Sequence, residues 1–231
     1  LFGVQAELLI DHAWGWEPCT IAAIKDYRPK SSSLSSGQVL PEPYSHEKAR
    51  LIVREMADQL SLELVEKGLV CSQFVLDIGY DAENLSAPVR QKTYHGPTKT
   101  DRYGRAVPAA AHGSVNLPVP ASSARILMQA AAEVFDRIAD SRLSVRRVTV
   151  TAAGLLRQEE AQLVGGDQLD FFGNYAAHQQ QKAELERELS GQQAIVALRQ
   201  KYGKNAVLRG MDLQEGATTK NRNGQIGGHK A

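Results

Sequence analysis

Cysteine is scarce in this chain: Cys19 and Cys71 are the only two among 231 residues, far apart and without a partner motif. Such usage supplies neither a disulfide framework nor a cysteine metal site, and it suits a reducing compartment. The six histidines are scattered too. No apolar run approaches the ~18 residues of a membrane span, and no signal peptide opens the chain, so a cytoplasmic protein without a membrane partner is expected. An excess of one charge is also lacking, since 27 Lys and Arg against 26 Asp and Glu leave a formal +1. Any case for a nucleic-acid partner therefore rests on where the charges sit.

What is present is 42% hydrophobic residues, enough for one good core in a chain whose length permits one to two domains. The chain begins at Leu1 inside an apolar helical pattern, which raises the expectation of missing upstream sequence. Leu1, Phe2, Val4, Leu8, Leu9 and Ala13 recur at helical spacing, punctuated by Gly3 and Gly15, and predict short helices over 1–24. Trp14 and Trp16 read as core or interface aromatics of that small unit, with ligand stacking as the alternative. Residues 25–30 form a basic connector, and the pivot of the chain follows at 31–40, SSSLSSGQVL.

From residue 33 the pattern becomes that of a sheet. A strand over 33–40 starts its alternation on Leu34 and resumes on Val39, a change of parity that a bulge at Gly37 absorbs, leaving Ser33, Ser35 and Gln38 on the other face. Pro41, Pro43 and Ser45 end the strand and open a helix over 46–67 with a stripe of Ala49, Val53, Met56, Leu60 and Leu64, closed by Gly68. A strand over 70–80 alternates Phe74, Leu76, Ile78 and Tyr80 against Gln73, Val75 and Asp77. After a long polar stretch, 81–111, a third strand over 112–117 sets Ser114 and Asn116 against Val115 and Leu117 and stops at Pro118 and Pro120. Ser122 or Ser123 caps a second helix to about 140, with Leu127, Ala131, Val134 and Ile138 inward. The fourth strand, 144–153, sends Val148, Val150 and Ala152 inward and Arg147, Thr149 and Thr151 outward. The order β-α-β-β-α-β predicts an α+β fold: a four-stranded sheet with both helices on one face, preceded by a short helical part and followed by a helical and then disordered tail.

The uncovered face then displays hydroxyls, amides and arginine but no aromatic on which a splayed base could stack. Small donors of this kind suit phosphate oxygens, which position a duplex without reading its sequence. A merely solvated face would look the same.

The order of these segments resembles the end of the thumb and the little finger domain of Y-family translesion DNA polymerases, in the bacterial UmuC/MucB-like branch. The resemblance is carried by the serine run and by Arg146-Arg147. It also rests on LFGV with AELLIDHAWGWEP at the start, GYD at 79–81, TDRYGR at 100–105, His112-Gly113, and GQIGGHKA at the end. It implies end of thumb over 1–24, a linker over 25–30, little finger over 31–157, a linker with a clamp-binding peptide over 158–175, a helical segment over 176–204 interrupted at Ser190-Gly191, and a disordered tail over 205–231. That tail region is basic, with seven Lys and Arg against two acids from residue 199 onward.

By the same resemblance, the implied DNA contacts are Lys30, Ser31, Ser32, Ser33, Ser35, Ser36, Gln38, His112, Gly113, Ser114, Asn116, Arg146, Arg147, Thr149 and Thr151, all on a primer-template duplex. Gln168, Leu169, Asp170, Phe171 and Phe172 resemble the short peptide by which bacterial polymerases dock on the sliding clamp. Polymerisation in that family follows a two-metal scheme, so Mg²⁺ is expected on palm carboxylates upstream of Leu1 and no cofactor in this chain. Asp77 and Asp81 lack a third carboxylate partner. The implied function is the DNA-gripping, clamp-docking region of an error-prone, SOS-type lesion-bypass enzyme, monomeric and inactive by itself. A non-catalytic protein-interaction adaptor with an idle sheet face is the alternative, and RNA binding a third reading.

Overall fold

The computed structural model describes residues 6–17, 19–27, 33–86, 94–101, 103–164, 175–226 and 229–230, and its contacts divide the chain into two units, 1–31 and 32–231. In the first, helix α1 (Ala6–Ala13) is followed by α2 (Ile21–Asp26), where the Thr20 hydroxyl caps the helix by accepting the Ala23 N–H at 3.1 Å. Neither helix buries a residue. Trp14 is 85% exposed and Trp16 58%, so of the core and interface readings the core one is not met. Two helices of eight and six residues offer too little surface to enclose an indole.

In the second unit the alternating segments become strands β1 (Ser33–Tyr44), β2 (Leu69–Tyr80), β5 (Ala111–Ala121) and β6 (Val145–Arg157), with a small hairpin, β3 (Thr98–Thr100) and β4 (Ala106–Pro108), in the loop between β2 and β5. The four long strands make one antiparallel sheet in the order β1-β6-β2-β5. Helix α3 (His46–Glu66) carries the chain from β1 to β2 past β6, and helix α5 (Ala124–Ile138) carries it from β5 to β6 past β2; the short α4 (Glu83–Ser86) follows β2. Two split β-α-β units thus interleave, and the expected α+β fold is the one observed. The hydroxyls of Ser45 and Ser123 cap the two long helices, and Gly68, at φ +64°, turns the chain out of α3.

The core lies between the helices and one face of the sheet. Ala49, Val53, Met56, Leu60 and Leu64 of α3 and Leu127, Ala131, Val134 and Phe135 of α5 pack on Leu40, Phe74, Leu76, Ile78, Val148, Val150 and Ala152. Fully buried side chains such as Phe74 and Phe135 stabilise the fold by about 1.5–3 kcal/mol each. The Cys71 thiol sits in this core, where burial pushes it up to about 12 and leaves it unreactive.

Three strand expectations are corrected. β1 pairs with β6 without a break from Ser33↔Ala153 to Val39↔Arg147, so Gly37 is not a bulge; the irregularity falls between Val39 and Tyr44. Leu34, Ser36, Gln38 and Leu40 therefore share the helix side, and Val39, expected inside, is 56% exposed. β1 also continues through Pro41 and Pro43, and β5 through Pro118 and Pro120. Both are edge strands, where a residue without an N–H can be tolerated on the unpaired side.

The C-terminal part also departs from expectation. Residues 158–164, read as linker, extend β6 as helix α6 (Gln158–Val164), and α7 (Tyr175–Tyr202) runs through Ser190 and Gly191 without interruption. The isolated glycine costs the helix about 1 kcal/mol, and α7 is anchored on either side of it. Glu188 accepts from the Ser123 hydroxyl at 2.6 Å, and buried Gln192 donates to Ser61 Oγ at 3.2 Å and to the Ser122 carbonyl at 3.1 Å.

Beyond α7 the segment expected to be disordered folds back along α3 through a 3₁₀ turn (Gly210–Leu213) and helix α8 (Thr219–Arg222), followed by the paired β7 (Gln225–Ile226) and β8 (His229–Lys230). Polar contacts hold it. Arg209 Nε donates to buried Asp58 at 2.6 Å, the Thr218 N–H to buried Glu55 at 2.9 Å, Gln38 Nε2 to Thr218 Oγ1 at 3.0 Å, and Arg222 to Ser36 Oγ at 3.2 Å. Composition forecast disorder because it counts apolar residues and cannot see hydrogen-bond partners supplied by α3 and β1.

Burial raises the Glu55 carboxyl above its ordinary range, against the backbone hydrogen bonds from Thr218 and Thr219 that lower it. A carboxyl raised on folding contributes most where it is protonated, and that contribution is lost as pH rises from the ordinary glutamate range through the raised value. Glu55→Gln keeps an acceptor for Thr218, so denaturant unfolding at a series of pH values should show a flatter decline of stability above the glutamate range; a curve parallel to the parent's would contradict this.

Gly113 of β5 tests the packing directly. A Cβ there would lie 2.7 Å from Ile138 Cγ2 and 3.2 Å from Val134 Cγ1. Gly113→Ala should cost about 1–3 kcal/mol by overpacking, read as a lower melting temperature.

Candidate nucleic-acid interface

With one face sealed by α3 and α5, the pleat turns every second residue of each strand to the other face. Strand register arranges these residues in rows running β1, β6, β2, β5. The rows are Ser33, Ala153, Gln73 and Asn116; then Ser35, Thr151, Val75 and Ser114; then Gly37, Thr149, Asp77 and His112; and last Val39, Arg147 and Gly79. All are exposed or half-buried, and none is Phe, Tyr or Trp.

Hydrogen bonds across the strands hold the polar rows in place. Thr151 Oγ1 donates to Ser35 Oγ at 2.9 Å, Gln73 Nε2 to Asn116 Oδ1 at 3.0 Å, and His112 Nδ1 lies 2.7 Å from Asp77 Oδ1. Arg147 stands differently: it is exposed and makes no hydrogen bond or ion pair with any described residue. Its surroundings are low, because Gly79 beside it has no side chain and a Cβ there would come 3.1 Å from Arg147 Cβ. Gly37 leaves the same room beside Thr149, whose Oγ1 would be 3.1 Å from an added Cβ. β6 is hydrogen-bonded on both sides, so its N–H groups are consumed by the ladder and the donors on this face are side chains.

Of the residues expected to meet DNA, the structure brings Ser33, Ser35, His112, Ser114, Asn116, Arg147, Thr149 and Thr151 together on this face. Ser36 and Gln38 are on the opposite side, engaged by Arg222 and Thr218, because the unbroken register of β1 sends even positions from 34 to 40 toward the helices. Gly113 likewise faces α5. Arg146 is the extra residue where β6 slips register between Val145 and Arg147, and it reaches Asp81 Oδ2 at 3.6 Å. Lys30, Ser31, Ser32 and the whole of 168–172 lie outside the described residues. Gln73, Val75, Asp77, Val39, Gly37, Gly79 and Ala153 complete the surface; Gln73, Val75 and Asp77 were visible from their alternation, whereas the glycines and Val39 depend on the register.

Asp77 and Asp81 are each engaged within the protein. Asp77 bonds His112, and Asp81 is engaged by Arg146 and by the Glu83 N–H at 2.8 Å. Among the described residues no group of three or more His, Cys, Asp or Glu is placed to hold a metal ion, and no helix is long and apolar enough to cross a membrane.

Compared with known families, residues 31–165 match the C-terminal domain of the impB/mucB/samB family. No curated protein matches the chain.

Proposed function

The chain belongs to the impB/mucB/samB family, that of UmuC-like Y-family polymerases of DNA repair and translesion synthesis, and on that footing we propose that its open sheet face holds the sugar-phosphate backbone of a primer-template duplex. The observation that carries this is Arg147: an exposed guanidinium without a partner among the described residues, set beside Gly79 on a flat field of hydroxyls and amides. A planar, fixed-charge donor with room around it suits a phosphate, and the surrounding Ser and Thr hydroxyls add neutral hydrogen bonds. The lack of an exposed aromatic on this face argues against single-stranded RNA. Residues 168–172, Gln-Leu-Asp-Phe-Phe, supply a second grip: apolar anchors for a pocket on a sliding clamp and a Gln that sets their register. Together the two contacts hold an error-prone lesion-bypass polymerase on damaged template, and nucleotide addition falls to palm carboxylates outside the family domain.

Binding to a labelled primer-template duplex should weaken with salt by about 0.9 log unit per log unit for each phosphate neutralised. Arg147→Ala should reduce affinity uniformly across sequences and lower that slope by about 1, without loss of fold. A flat salt response would sink the reading.

The clamp contact is separable. Phe171→Ala with Phe172→Ala should weaken binding to a bacterial sliding clamp at least about tenfold, as removal of interface anchors does, and leave duplex affinity as it was. Unchanged clamp affinity in a pull-down or calorimetric titration would refute it.

A further inference from the structure

We propose that the Asp77 and His112 pair is a proton-operated regulator of how tightly the open face holds phosphate, an inference that rests on the duplex-binding reading above. The two residues come from neighbouring strands, stand directly opposite in register, and approach to 2.7 Å between His112 Nδ1 and Asp77 Oδ1. They occupy the row of Thr149 and Gly37, one row from Arg147. Their side chains are 65% and 47% exposed, so the pair is open to solvent and adds little to stability. A carboxylate in the middle of a phosphate-holding surface opposes its ligand.

An ionised Asp77 accepts a hydrogen bond, so the neutral ring carries its proton on Nδ1 and leaves Nε2 as a lone pair. In that state Asp77 keeps its negative charge on the face, and the ring offers phosphate an acceptor facing an acceptor. Protonation of Nε2 changes both terms together. The ring charge offsets Asp77, its ion-pair partner, and Nε2–H becomes a donor for a phosphate oxygen. Histidine is the side chain whose charge changes between about pH 5 and 8.

The other charged groups around the pair do not substitute for it. Asp81, at the end of β2, is engaged by Arg146. Arg137 of α5 comes round the sheet edge to the Ser114 carbonyl at 2.6 Å, with Glu133 at 3.9 Å. The duplex should therefore be held more tightly as pH falls, and Asp77 should set the loose limit.

The test is the affinity for a labelled primer-template duplex at constant low salt, from about pH 8 to about pH 6, for the parent chain, His112→Gln and Asp77→Asn, with melting curves at each pH. The parent should bind about threefold more tightly at the acid end, the scale of one exposed charge interaction. His112→Gln should lose that dependence and stay at the weak value, and Asp77→Asn should exceed the parent about threefold near pH 8. The inference is overturned if His112→Gln keeps the parent's pH profile or if Asp77→Asn binds no better. A parent chain that binds no duplex at any pH overturns the reading beneath it, a different and recognisable result.

Discussion

Two helices seal one face of a pleated sheet, and the other properties of this domain depend on that. Because successive residues of a strand point to opposite sides, sealing one face commits every second residue to the other. The consequence runs through all four strands. Burying Phe74, Leu76 and Ile78 on β2 displays Gln73, Val75 and Asp77, and burying Val148, Val150 and Ala152 on β6 displays Arg147, Thr149 and Thr151. The open face is thus the reverse side of the core, and its geometry follows the packing behind it. Gly113 shows the coupling most directly: it lies between His112 and Ser114 of the open face, and its missing side chain is what lets α5 approach β5.

Behind the same helices the C-terminal segment is bound by a different kind of interaction. Glu55, Asp58 and Asp212 are almost fully buried where it meets α3, and burial raises Glu55 and Asp58 above the ordinary carboxylate range, opposed at Asp58 mainly by Arg209. One oxygen of each of the three carboxylates has no hydrogen-bond partner among the described residues, so the contact is expensive in desolvation. Its value lies in where it places the chain. Through Thr218 and Arg222 it reaches Gln38 and Ser36, the inner side of the strand whose outer side carries Ser33 and Ser35. The segment therefore braces an edge strand of the proposed grip from behind.

The open face itself is weakly charged. One unpaired arginine, one carboxylate and one histidine stand among hydroxyls and amides, a composition suited to holding many sequences loosely and releasing them. That character fits a family whose members copy damaged templates, where a base-reading surface would be a hindrance.

The sheet, its helices and their faces were legible in the sequence wherever an apolar stripe or alternation was long: α3, β2, α5 and β6 lie close to where periodicity put them. The same alternation identified Arg147, Thr149, Thr151, Ser114 and Asn116 as outward. It failed in β1, where the serine run is nearly devoid of apolar markers and Val39 suggested the wrong parity; only the pairing with β6 decided that Ser36 and Gln38 face inward. Order in the C-terminal segment was illegible for a related reason, since Glu55, Asp58 and Ser36 lie more than 150 residues away from their partners in the tail. By itself the sequence determined the elements whose own hydrophobic pattern suffices to place them. Tertiary structure decided what hangs on pairing between distant segments: the register of β1, the course of the tail and the meeting of Asp77 with His112. Patterns of burial are local properties of a chain, whereas strand register and hydrogen-bond partnership exist only once two distant stretches have met.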